Sequence, residues 1–159
     1  GVIERSKTCT KILNWQLKQA NHSTIEYIKS LPKSLSFNKY DKSIFCTHGG
    51  LVDSIDEYLF DLNEKYMINN HFKSDILLTG HTHLGAYKTF YNGKKWINPG
   101  SVGQPRDHDN RASYVIIDET FEVQFIRVKY DYMTVVNEMN RRGFDHYISA
   151  PLITGKKIT

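Results

Sequence analysis

The sequence of 159 residues has few cysteines and no long apolar run, and both shortages exclude classes of protein. Its two cysteines, Cys9 and Cys46, have a spacing that fits neither a disulfide framework nor a thiolate metal site. The longest aliphatic runs, such as Ile76–Leu78, have three residues and are too short to cross a membrane, and no apolar stretch near Gly1 resembles a secretion signal. We therefore predict a cytoplasmic protein without a membrane segment.

An excess of charge of one sign is also lacking. Twenty-one Lys and Arg residues stand against 17 Asp and Glu, which gives a formal net charge of +4. Because the basic residues are scattered, nucleic acid is unsupported as a partner, whereas a small anionic substrate is compatible with the charge. With 40% hydrophobic and 24% charged residues, the composition is that of a globular protein, and we predict one domain over residues 1–159. The start at Gly1 rather than Met predicts a piece of a longer chain.

The spacing of apolar residues predicts a mixed α/β protein whose second half is rich in strands. Ser23 is the predicted N-cap of the second helix, with Glu26 completing a capping box, and Asn92-Gly93 is a strong hairpin signal. The tail from Ser149 to Thr159 is too short and polar to build an independent element. The predicted elements are helices over 6–19, 23–31, 56–69 and 132–142, strands over 43–47 and 75–79, and hairpins over 87–97 and 113–128.

Three of the seven histidines follow two predicted strands at the point where each strand ends. His48 follows the first strand, and His81 and His83 follow the second. The order strand, helix, strand predicts a parallel pair, and functional groups collect beyond the carboxyl ends of parallel strands. Neutral imidazole nitrogens bind divalent ions, so these histidines are candidate metal ligands; structural, hydrogen-bonded histidines are the alternative. The remaining histidines are expected to be surface residues: His22, His71, His108 and His146.

Three segments, taken in order, resemble the motifs of a known family. They are Thr47–Gly50, Gly80–His83 and Ile97–Arg106, and their order and spacing resemble those of the calcineurin-like metallophosphoesterases. The last segment more narrowly resembles the small bacterial and archaeal phosphodiesterase branch of that superfamily. The resemblance implies an α/β fold in which a two-sheet β-sandwich is flanked by helices, with this chain forming the carboxyl-terminal part.

The resemblance also implies a ligand set. His48 and His81 would bind one divalent ion and His83 a second, with manganese expected first and iron, nickel, cobalt or zinc as alternatives. The family's first three motifs, aspartate-x-histidine, glycine-aspartate and glycine-asparagine-histidine, do not occur in the 159 residues. No catalytic residue, and in particular no general acid, is therefore identifiable, and we expect the chain alone to be incomplete and inactive.

The function that the resemblance implies is hydrolysis of a small phosphorylated substrate, a phosphomonoester or a phosphodiester, by a water that two ions activate in a longer chain. Two alternatives stay open: a non-catalytic remnant that serves as an interaction module, and a mononuclear zinc hydrolase that uses the same three histidines. Half of a sandwich would expose a strand edge, so we also expect self-association and leave a homo-oligomer open.

Arg106, at the end of the third segment, has two interpretations. It could bind a phosphate in a bidentate manner, or it could form an ion pair with Asp107, Asp109 or another carboxylate while the loop packs under the histidines. We favour the pairing, because arginines in loops are more often ion-paired than bound to substrate.

Overall fold

The computed structural model describes residues 7–156, with side chains from residue 10 onward, and divides the chain into two compact units, Gly1–Lys33 and Ser34–Thr159. Ser6 and the side chain of Cys9 lie outside the described part. The first unit contains α1 (Lys7–Gln19) and α2 (His22–Ser30). The single domain over 1–159 stays a prediction.

The cap of α2 differs from the prediction. Asn21, not Ser23, is the N-cap, and its Oδ1 accepts hydrogen bonds from the Thr24 amide and the Ser23 hydroxyl, each at 2.8 Å. Glu26 pairs with Lys29 instead of closing a capping box. The reason is that Asn21 already accepts one of the free amides of the first turn, that of Thr24, so Ser23 lies inside the helix.

The second unit is built on two sheets. The strands of the first sheet are β1 (Ser34–Lys39), β2 (Lys42–Thr47), β3 (Ile76–Leu78), β4 (Gly85–Thr89) and β5 (Lys95–Pro99). Their order in the sheet is β1-β2-β3-β5-β4, with β2, β3 and β5 parallel and the two outer strands antiparallel to their neighbours. The second sheet pairs β6 (Ala112–Ile117) with β7 (Val123–Val128), and the helices are α3 (Glu64–Asn69), α4 (Tyr132–Arg141) and α5 (His146–Thr154).

Successive residues of the central strands point into two different cores. Ile76 and Ile97 pack with Phe121 and side chains of the β6-β7 hairpin, so this core lies between the two sheets. Leu77 and Trp96, the alternate residues, pack on the opposite face against residues of α3 and of the loop before it. This alternation is the period of two that a pleated strand imposes. The predicted two-sheet sandwich flanked by helices is confirmed.

The predicted parallel pair and both predicted hairpins are confirmed by the strand pairing. Asn92-Gly93 lies in the β4-β5 turn, where Gly93 takes a φ of 79°. The β1-β2 turn uses Tyr40 and Asp41 with φ of 45° and 60°, a conformation matched to the twist of paired strands.

The predicted helix over 56–69 is wrong for residues 56–63. α3 begins only at Glu64, after the N-cap Asn63, whose Oδ1 accepts the Tyr66 amide at 3.0 Å. Before it, carboxylates organise the loop: Asp53 accepts the amides of the second and third residues after it, and Glu57 accepts those of Val52 and Asp53. These local hydrogen bonds compete with helix formation.

The tail also differs from its prediction. Residues 149–154 continue α5, in which Ile148 and Leu152 are buried, and residues 157–159 lie outside the described part of the chain. α5 contacts α4, so the segment is ordered by packing and does not stand alone. Among the described residues, no helix is both long enough and apolar enough to cross a membrane.

Candidate metal centre

The parallel pairing of β2 and β3 brings the first two candidate histidines together. Cys46 of β2 is paired with Leu78 of β3. Two residues further along each strand, the Gly80 amide donates to the His48 carbonyl at 2.9 Å. His48 Nε2 and His81 Nδ1 consequently face each other at 3.1 Å, with ring centroids 4.9 Å apart. The two strand ends thus form one two-imidazole site.

The separation of these two nitrogens fits a shared divalent ion. Two nitrogens bound to one ion at about 2.1 Å, with an angle of about 90° to 109° between the bonds, lie about 3.0 to 3.4 Å apart. The observed 3.1 Å falls inside that interval, and it is also the length of an N–H···N hydrogen bond between the two rings. Among the described residues, the buried Nε2 of His81 has no hydrogen-bond partner, so hydrogen bonding accounts for only one of the two nitrogens of this ring.

His83 lies apart from this pair. Its Nδ1 is 2.6 Å from the Gln104 carbonyl oxygen, a distance at which Nδ1 donates, so the lone pair of the neutral ring is on Nε2. A backbone carbonyl that fixes a ring in this way is typical of metal-binding histidines. Among residues 7–156, no three His, Cys, Asp or Glu side chains are grouped so that they could hold an ion.

Both His81 and His83 have left-handed backbones, with φ of 64° and 61°. Such conformations cost free energy in residues other than glycine and persist where surrounding contacts impose them. Asn98 contacts the two residues that flank His81: its buried amide donates to the Gly80 carbonyl at 2.7 Å and to the Thr82 hydroxyl at 3.0 Å. Its Oδ1 accepts the amide of the second residue after it at 3.0 Å.

The electrostatics of the site favour neutral rings. Burial lowers the pKa of His81, and the nearby His48 lowers it further, while the carboxylate of Asp56 acts in the opposite direction. Burial is also the main cause that lowers the pKa of His83, and the positive charge of Arg106 adds to it. Both rings therefore have a free lone pair at neutral pH, which is the form that binds a metal ion.

Arg106 does not have the partners expected for it. Asp109 binds Arg111 at 2.6 Å, and Asp107 pairs with Arg127. Within the described residues no carboxylate lies within ion-pair distance of Arg106. The expectation that the loop packs under the histidines holds, through Gln104, whereas the favoured pairing of Arg106 with the two neighbouring aspartates is wrong because two other arginines take them.

Three residues of the site were missed by the sequence reasoning. The Tyr58 ring lies 4.0 Å, centroid to centroid, from the His81 ring, and no spacing signal marks it. Asp56 was assigned to a helix and not to the site. Asn98 lies in the third family-like segment but is not among the predicted site residues; its place at the end of a strand after the apolar Ile97 is a signal for a buried position.

The sequence profile of the Calcineurin-like phosphoesterase superfamily domain matches residues 14–121. The chain belongs to this superfamily. Membership implies a phosphoesterase fold that uses divalent metal ions. The chain is also similar to the metallophosphoesterase from Sphaerobacter thermophilus, with 25% identity and a TM-score of 0.77 over 98% of this chain and 70% of that one.

Two archaeal proteins are also similar to this chain. The hypothetical protein PH1004 from Pyrococcus horikoshii OT3 shares the fold, with a TM-score of 0.86 and 22% identity over 98% of this chain. The uncharacterized protein MJ0912 of Methanocaldococcus jannaschii is 28% identical over 89% of this chain. The chain spans 63% of the length of the former and 64% of the length of the latter.

Proposed function

We propose that this chain is the histidine-bearing part of a metal-dependent phosphoesterase that hydrolyses a small phosphorylated substrate, a phosphomonoester or a phosphodiester. The observation that carries the proposal is the approach of His48 Nε2 to His81 Nδ1 at 3.1 Å at the ends of two parallel strands. Calcineurin-like membership supports the same chemistry at the level of the superfamily.

Two divalent ions are part of the proposal, with manganese expected first. His48 and His81 would hold one ion, and His83 would bind the second through Nε2, because its Nδ1 is engaged with the Gln104 carbonyl. When bound, such ions supply an activated water and neutralise the charge of the phosphate oxygens. The chain's own contribution is to keep the rings of His81 and His83 neutral and to place all three imidazoles beyond the ends of β2 and β3.

The two imidazoles that face each other leave most positions around an ion for other ligands. Divalent ions such as manganese also favour carboxylate oxygens. We propose that these come from the motifs that the 159 residues lack, so activity belongs to the full chain encoded by the reading frame. We also propose a cytoplasmic location, and self-association through exposed apolar strand residues such as Leu35 and Phe37.

The test is hydrolysis of bis(p-nitrophenyl) phosphate by the full chain with added manganese, before and after removal of metal with EDTA. His81→Ala is expected to lower kcat/KM by roughly 100-fold or more, because it removes a metal ligand. His146→Ala is the matched control, since His146 is exposed and at the start of α5.

We expect the 159 residues alone to be inactive in the same assay. A full chain that binds no metal and hydrolyses no phosphoester would support the non-catalytic interaction module instead. One tightly bound zinc per chain, with activity in the 159 residues alone, would support the mononuclear hydrolase.

A further inference from the structure

We infer that the guanidinium of Arg106 binds the phosphate group of the substrate at the histidine site. The inference deepens the proposed function and rests on it for the identity of the ligand as a phosphate ester. It assigns a specific anion-binding side chain to a site that otherwise consists of imidazoles.

The backbone places Arg106 beside the histidines. Its amide donates to the His83 carbonyl at 3.3 Å, and its Nη1 lies 3.5 Å from the carbonyl of Thr82, the residue between His81 and His83. The preceding residue, Pro105, is fully buried. The guanidinium is thus held along the histidine segment.

Among the residues that the structure describes, few acceptors engage the donors of Arg106, in contrast to those of two arginines nearby. Arg111 makes three hydrogen bonds to the Asp109 carboxylate, and Arg127 is bound to Asp107. A guanidinium has five N–H donors. In the described part of the chain, only the long contact to the Thr82 carbonyl engages the side chain of Arg106.

The chemistry of the group defines the ligand. A guanidinium remains protonated in proteins and has no lone pair to offer, so it binds no metal ion, and here it lies beside the histidine segment. Its planar fork matches two oxygens of a phosphate. A phosphate oxygen anion that the histidine-bound ions attract would be the natural acceptor for these donors.

The inference is tested in the full chain loaded with manganese, by calorimetric titration with inorganic phosphate. Arg106→Gln is expected to weaken phosphate binding roughly 10- to 100-fold, the effect of losing charge-assisted hydrogen bonds. Arg106→Lys keeps the positive charge but loses the planar set of donors, so we expect its phosphate affinity to lie between those of the unchanged protein and of Arg106→Gln. Arg111→Gln is the matched control, because Arg111 is exposed and bound to Asp109. The phosphate affinity of the Arg111→Gln variant should equal that of the unchanged protein.

Manganese content, measured by elemental analysis, separates substrate binding from a structural role. We expect Arg106→Gln to retain its manganese while KM for bis(p-nitrophenyl) phosphate rises. Unchanged phosphate affinity in that variant, or loss of its manganese, would overturn the inference while leaving the proposed function standing. If phosphate binding depends on Arg106 but the unchanged full chain hydrolyses no ester, the anion site stands and the proposed function fails.

Discussion

Asn98 offers the sharpest test of how the fold holds the histidine loop. The side chain is completely buried and makes three hydrogen bonds, two as donor to Gly80 and Thr82 and one as acceptor from the Gly100 amide. Asn98→Asp changes the size of the side chain very little. It removes the two donors and places a carboxylate oxygen against the Gly80 carbonyl, which then lacks this partner.

The magnitude follows from these contacts. Loss of a buried hydrogen bond that leaves its partner unsatisfied costs about 1 to 3 kcal/mol, and a buried carboxylate without a donor adds to that. We expect Asn98→Asp to lower the free energy of unfolding by about 3 to 5 kcal/mol, from two lost donors and one repulsive contact. Urea denaturation of the variant and the unchanged protein measures the difference.

Asn38→Asp is the matched control for this substitution. Asn38 is exposed in β1, so the same chemical change is expected to alter stability by no more than about 0.5 kcal/mol. Manganese affinity is the second readout. Because Asn98 holds Gly80 and Thr82 on either side of His81, we expect manganese affinity to fall roughly 10-fold or more. A loss of stability below about 1 kcal/mol would refute the assignment of Asn98 as the anchor of the loop.

Two further predictions concern the strands and turns that support the site. Asp75 accepts hydrogen bonds from the Ser43 amide and hydroxyl at 2.8 and 2.7 Å, and these lower its carboxyl pKa below 3.8. Asp75→Ala should therefore cost about 1 to 3 kcal/mol at pH 7. The ionised Asp75 stabilises the fold above pH 3.8, and this contribution is lost as the pH falls through the pKa of the folded state. Urea denaturation from pH 7 to 3 should therefore show that the difference in unfolding free energy between the variant and the unchanged protein shrinks below pH 3.8. A difference that stays constant over this range would contradict the prediction. A Cβ on Gly49 would lie 2.5 Å from the Asp53 carbonyl oxygen, so Gly49→Ala should lower the free energy of unfolding by about 2 to 4 kcal/mol. Gly103→Ala is the control, because a Cβ there meets no described atom within 4 Å. Equal thermal stability of the two variants would contradict the packing argument.

The strands were predictable because their signals are local. Ile76 and Leu77 lie in a short apolar run, and Asn92-Gly93 separates two alternating segments, so period and turn chemistry agree. The meeting of His48 and His81 followed from one further rule, that parallel strands end at the same edge of a sheet.

The errors came from contacts that sequence spacing does not show. Leu59 and Leu62 are three residues apart, as on a helix face, but both are buried from an irregular loop held by carboxylate hydrogen bonds. Arg106 has two aspartates nearby in the sequence, but Asp109 binds Arg111 and Asp107 binds Arg127. Arg127 lies in β7, 20 residues after Asp107 in the sequence. Competition among partners is decided by the tertiary structure.

The most direct test of the account is the position of a bound ion. A crystal of the full chain soaked in manganese and measured for anomalous scattering is expected to show a peak about 2.0 to 2.3 Å from both His48 Nε2 and His81 Nδ1. His48→Ala should abolish that peak. A saturated crystal with no peak between these two nitrogens, or with its manganese bound elsewhere, would contradict the assignment of this strand edge as a metal centre.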